Sequence, residues 1–191
     1  MDRYEHSEKT RFLGAEFLTW LWFKIELFEG HLALSERRAA DGWMDTSLML
    51  GSPDNPRERV TLRGQQPSAS AEAASALRQG KVPMKAALRL SLGVQEYAFS
   101  FDAKTFAVSG VKLPAVLGEE SDEPVYERLR LIEQLDQILT ELYTEFLNLR
   151  VAPEWERTLA PAMRAWVRGK LTLTQRQYAG LVQRTSKGKR K

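Results

Sequence analysis

KVPMKAALRLSL, residues 81–92, is the stretch whose reading decides the fold. Its even positions Val82, Met84, Ala86, Leu88, Leu90 and Leu92 are all apolar, while Lys85, Arg89 and Ser91 point the other way. A period of two places alternate side chains on opposite sides of a strand, so one face belongs to a core and the other to water. Gly93 and Val94 make a tight turn into QEYAFSF, where Tyr97, Phe99 and Phe101 alternate in the same manner. Phe106 and Val108 mark a further strand before Gly110, which completes an antiparallel meander with one wet face.

Upstream, GWMDTSLMLGS (42–52) and RERVTLRG (57–64) predict two more strands, joined through Pro53, Asp54, Asn55 and Pro56. ASAEAASALRQG (69–80) predicts a short helix with Ser68 or Ser70 as its cap and Gly80 as its stop. Residues 12–28 form the longest apolar stretch, but Glu16, Lys24 and Glu26 interrupt it. It also falls short of the ~20 apolar residues a membrane-spanning helix needs. Within it FLGAEFLTWLWF (12–23) reads as a core helix, with Leu13, Phe17, Trp20, Leu21 and Ile25 inward and Glu16 and Thr19 as a narrow polar edge. An aromatic box for a ligand is the alternative.

After an acidic loop, GEESDEP (118–124), the residues Leu131, Ile132, Leu135, Ile138, Leu139, Leu142, Phe146 and Leu149 keep three-four spacing. They predict an amphipathic helix over 125–150, its apolar stripe about five turns long. Such a seam covers the sheet or pairs with a second copy of the chain. Pro153 and Pro161 then open a region with two shorter helices, near 159–169 and 174–184. The expected fold is α+β: an antiparallel sheet of about five strands, packed with a core N-terminal helix and a long amphipathic helix, followed by a helical basic C-terminal extension. The body spans 1–152, and the extension with its tail spans 153–191.

With 191 residues, 43% of them hydrophobic, the chain suits one domain able to bury a core. It has no cysteine, which excludes disulfides, thiolate metal sites and cysteine nucleophiles and suits a reducing cytosol. The opening MDRYEHSEKTR is charged throughout and lacks the apolar centre of a secretory signal, so no export is expected.

The net charge of +3 hides an asymmetry. From Arg157 to Lys191 there are ten basic residues and no acidic one, which leaves residues 1–156 with 18 basic and 25 acidic side chains, a balance of −7. So cationic a segment concentrates anions and suits a polyphosphate partner; otherwise it packs on the acidic body or serves as a solubilising tail. Arg164, Arg168, Lys170, Arg176, Lys187, Lys189, Arg190 and Lys191 are its candidate DNA contacts. Trp166 and Tyr178 lie among them, to stack on bases or to anchor the helices.

A second set of cations lies on the strands. In RERVTLRG the odd positions Arg57, Arg59, Thr61 and Arg63 share a face opposite Val60 and Leu62, and Lys85 and Arg89 occupy the polar face of the later strand. In one sheet these five cations gather on its open side, with Lys81 just ahead of them. Guanidinium groups there grip phosphates without sequence preference, or only discourage edge pairing. Catalytic signatures are missing: His6 and His31 have no metal-ligand spacing, there is no glycine-rich phosphate loop, and no serine sits in a nucleophile elbow. Glu119, Glu120, Asp122 and Glu123 form one contiguous acidic run, better suited to a solvated loop than to a metal site. The chain is therefore expected to be no enzyme and to need neither cofactor nor metal.

The order RVTLRG, ALRQGKVPMKAALRLSL, QEYAFSF, FAVSGVKLPAVL and the leucine-rich helix resembles the C-terminal half of the recombination-associated RdgC family, over roughly residues 12–150. FLGAEFLTWLWF is similar to the helix that precedes this region in short relatives. The resemblance implies a bacterial, cytoplasmic, nucleoid-associated homodimer that occupies duplex DNA without sequence preference and restrains a RecA-type recombinase, with no membrane attachment. The chain lacks the N-terminal half of full-length members, and its basic extension has no counterpart in them. Two rivals stand beside that expectation: an assembly module that dimerises through its long helix without binding DNA, and a metal-dependent nuclease using Glu119 to Asp122.

Overall fold

The structure, a computed structural model, describes residues 3–34, 38–55, 57–115 and 123–187. Along the chain run α1 (Arg3–Leu27), β1 (His31–Ala33), β2 (Ala39–Gly51), β3 (Arg59–Arg63), α2 (Ala71–Arg78), β4 (Val82–Leu92), β5 (Gln95–Asp102), β6 (Ala107–Lys112), α3 (Glu123–Arg150), α4 (Ala160–Val167) and α5 (Gln175–Lys187). The fold is α+β, as the alternating strands and amphipathic helices imply.

All strands join one six-stranded antiparallel sheet in the order β1-β2-β4-β5-β6, with β3 also paired to β2. The thirteen residues of β2 form its spine: one edge pairs with β4, while the other takes β1 at its start and β3 at its end. The hairpin of β4 and β5 keeps an unbroken register from Leu92↔Gln95 to Lys85↔Asp102. Leu88, Leu90, Tyr97, Phe99 and Phe101 are buried on its inner face, as the period of two requires. The sheet holds one strand more than expected, because β1 has only three residues, too short a run for its alternation to be recognised.

Local signals elsewhere hold. The Ser70 Oγ accepts the Ala73 N–H at 3.1 Å and caps α2, and Gly80 leaves that helix at φ +83, where a side chain would be strained. A wide π turn, Trp155–Leu159, precedes α4. Pro161 follows in the first turn of α4, and having no N–H it cannot close an α-helical bond to the carbonyl of Arg157.

The first helix departs from its one-sided reading. It begins at Arg3 rather than near residue 12, and Phe17, Leu18, Trp20, Leu21, Trp22 and Phe23 are all buried, so apolar burial extends well round the helix while the narrow edge of Glu16 and Thr19 stays partly open. The reason is position: α1 lies on the inner face of the sheet over β4, with α3 on one flank and α4 on the other. Phe17 meets Phe101 of the sheet at 5.5 Å between ring centroids and Phe146 of α3 at 5.6 Å. Gly14 permits the close approach, since a Cβ there would stand 1.8 Å from the Ala103 carbonyl oxygen. The polar edge is bonded rather than free: Glu16 accepts from the Arg150 Nε at 2.7 Å, and the Thr19 hydroxyl donates to the Ala15 carbonyl at 2.7 Å.

The C-terminal segment continues the same core. Trp155, Leu159, Ala162, Met163, Leu173, Tyr178 and Leu181 are buried in one cluster with α1 and α3, so the core continues across residue 152. Among the described residues no helix is long and apolar enough to cross a membrane.

Candidate nucleic-acid interface

The open face of the sheet carries both signs of charge. Arg59 and Arg63 flank Thr61 on β3, and the register places Thr61 and Lys85 on either side of Met49. At about 3.3 Å per residue and 4.8 Å per strand, these cations stand about 10–13 Å apart. Arg57, in the turn before β3, is exposed, as are Arg59 and Arg63, and none of the three has an ion pair among the described residues. Asp41, Asp45, Glu96 and Asp102 share this side of the sheet.

The five-cation platform is therefore reduced. Arg89 donates to Asp45 at 3.1 Å and to Glu96 at 3.3 Å, so its charge is answered within the protein. Lys85 lies directly across from Asp102 on β5. Trp166 and Tyr178 both prove to be anchors: Trp166 packs edge-on against Trp22 and Phe23 at 5.4 and 5.6 Å, and the Tyr178 ring is buried against Phe28. The Tyr178 ring is 2% exposed and offers no face to a base, whereas Trp166 stays partly exposed.

A denser basic site forms where the two sets of cations meet. Lys81 does not join the sheet platform; it stands with Arg78 beside the Gly80 turn, facing Arg164 and Arg168 of α4 across a cleft of about 490 Å³. Thr19 of α1 with Leu77, Val82 and Val167 completes the lining, and no carboxylate takes part. Arg164 on α4 and Arg168, which caps that helix, are four residues apart and both line the cleft. None of the four cations forms an ion pair with a described carboxylate; Lys81 donates to Gln79 at 3.2 Å. Four like charges thus converge without internal compensation, a mutual repulsion that a bound anion relieves. Arg78 is the member that sequence reading passed over, although a cation in the last turn of a helix is a recognisable placement.

The remaining candidates lie apart from this cleft. Lys170 and Arg176 are exposed, in the α4–α5 connection and at the start of α5. Lys187 ends α5, while Lys189, Arg190 and Lys191 lie outside the described residues, as do Glu119, Glu120 and Asp122. Among the described residues no three histidine or acidic side chains come together as metal ligands.

A second polar cluster is buried between α1, α3 and α5, at the floor of a cavity of about 520 Å³. The Lys24 Nζ donates to Glu145 at 2.6 Å and lies over the rings of Trp20 and Tyr178, whose hydroxyl donates to the other Glu145 oxygen at 2.7 Å. Burial lowers the Lys24 pKa against the opposing pull of Glu145, while burial and the Glu145 charge raise that of Tyr178 well above the usual phenol range. Every charge in this cluster is answered inside the protein, which suits it to holding three helices together.

Comparison with protein families, with curated proteins and with solved structures gives no match.

Proposed function

We propose that the chain binds DNA without sequence preference by gripping its phosphates, with the cleft of Arg78, Lys81, Arg164 and Arg168 as the anchor and Arg57, Arg59 and Arg63 as an outlying contact. The observation that carries this is the convergence of four unpaired cations, from two segments distant in sequence, on one cleft without a carboxylate. Guanidinium groups match phosphate geometry bidentately, and contacts confined to phosphates position a duplex without reading it. Occupancy of DNA is then the activity. The resemblance to RdgC supplies recombination, with restraint of a RecA-type filament, as the setting in which such occupancy acts.

The double variant Arg164→Glu/Arg168→Glu should bind a random-sequence duplex at least about tenfold more weakly in fluorescence anisotropy at low salt, since two phosphate contacts become repulsive. Arg89→Glu should change affinity far less, because that guanidinium is already neutralised. Equal losses from the two variants would reject the cleft as the anchor.

Assembly through the long helix is a second reading, favoured by one observation. Val125, Leu129 and Ile132 on α3 are 59%, 52% and 49% exposed although they keep helical spacing, and Tyr126 beside them is 71% exposed. An apolar stripe of this kind fits a second copy of the helix. Light scattering should then report a dimer that Leu129→Glu converts to monomer; a wild-type monomer at micromolar concentration would dismiss it.

A further inference from the structure

The basic cleft does not end at Val167. A second cavity, of about 380 Å³, shares the wall of Leu77, Arg78 and Val167 with it and runs on between α2 and α4. Its floor is the same face of α1: Thr19 lines the first cavity, and Trp22 and Glu26 line the second. Those positions are three and seven residues apart, which keeps them on one side of the helix and sets Glu26 about 10 Å along the axis from Thr19. The two cavities thus adjoin along Arg78, with Lys81, Arg164 and Arg168 on the far side of it in the first and the Glu26 carboxylate in the second.

That carboxylate is held in place. Glu26 Oε1 accepts the indole N–H of Trp22 at 2.6 Å, and Oε2 accepts that of Trp166 at 2.6 Å. No cation pairs with Glu26 among the described residues, and it is exposed. A carboxylate has about four acceptor positions, so after both indoles are served it can still accept from a ligand. Fixed in orientation and uncompensated in charge, it selects for a donor group.

We propose that this groove seats one nucleotide of a single strand, its phosphate among Arg78, Lys81, Arg164 and Arg168 and the amino edge of its base donating to Glu26. The proposal rests on the phosphate-binding role given above and adds to it a strand form and a base preference. A nucleotide is the unit that carries an anion at one end and an amine-bearing ring at the other. Cytosine, with an exocyclic amine, suits a carboxylate acceptor; thymine presents two carbonyl oxygens around its single N–H and repels one. In a duplex the base is stacked and paired within the helix and cannot be carried into a groove between two protein helices, so only an unpaired strand can fill it.

Anisotropy titrations with short labelled oligo-dC and oligo-dT at pH 7.5 test this directly. Oligo-dC should bind about tenfold tighter than oligo-dT, the discrimination expected of one well-placed base contact. Glu26→Gln, whose amide presents a donor as well as an acceptor, should abolish that preference, with its urea midpoint recorded to confirm folding. Equal wild-type affinity for the two oligonucleotides would overturn base recognition while leaving phosphate binding intact. Failure of both oligonucleotides and of duplex to bind at low salt would instead overturn phosphate binding, and base recognition with it.

Discussion

Glu145→Ala should cost about 3–5 kcal/mol of folding stability, measured by urea denaturation, because it leaves the buried ammonium of Lys24 without its counter-charge. The Lys24 and Glu145 side chains are 3% and 17% exposed, so the pair is largely withdrawn from bulk water. Tyr178 loses its acceptor in the same step. The double variant Lys24→Met/Glu145→Gln should be markedly more stable than Glu145→Ala, since no unpaired charge remains and the glutamine carbonyl still accepts from Tyr178. A cost of Glu145→Ala below about 1 kcal/mol would mean that Lys24 does not depend on this pair.

The pH dependence of that variant follows from the same contact. Burial holds the folded pKa of Lys24 below its ordinary 10.5, so between the two values the unfolded chain binds more protons than the folded one. Stability therefore rises with pH across that window. Both influences that raise the Lys24 pKa come from Glu145, so its removal pushes the lower edge of the window down and lengthens the pH range over which stability rises. Tyr178 has the opposite sign: its raised pKa gives stability that is present below about pH 10 and lost above.

Phe17→Ala should cost about as much, about 3–5 kcal/mol, for a different reason. Phe17 is 2% exposed and touches four rings in two layers: Trp20 on its own helix, Phe101 on β5, and Tyr143 and Phe146 on α3. Truncation opens a cavity where sheet and helices meet, and the rigid backbone around Gly14 and Ala103 limits collapse into it. Phe106→Ala, at the partly buried margin of the same aromatic set, should cost clearly less. If both changes cost the same in urea, the junction at Phe17 is not the centre of the core.

How much of this was legible in the sequence depended on whether a signal was local. The hairpin from Lys85 to Asp102 was readable because alternation is written into consecutive residues, and so were the Ser70 cap, the Gly80 stop and the stripe of α3; ahead of Lys85 a bulge at Met84 breaks the alternation, and Pro83 is buried where Val82 and Met84 were expected. The first helix was legible as a core helix with a narrow polar edge at Glu16 and Thr19, but not the burial of Leu18, Trp22 and Phe23 beside that edge, because only the packing of sheet, α3 and α4 around it covers them. Charge was legible as a total but not as an arrangement. Arg89 is answered by Asp45, 44 residues away, and Trp166 by Glu26, 140 residues away, and neither pairing leaves a trace in spacing. The cleft follows the same rule, since Arg78 and Lys81 reach Arg164 and Arg168 only through the packing of α2 on α4.

The most direct measurement is the affinity for a random-sequence duplex as a function of salt, for the wild-type chain and for Arg164→Glu/Arg168→Glu. Phosphate binding at the cleft should give a steep fall of log K against log salt in the wild type, and a slope smaller by about two in the variant, one for each contact removed. An affinity that is absent at low salt, or a slope that the two reversals leave unchanged, would contradict the placement of DNA on this site.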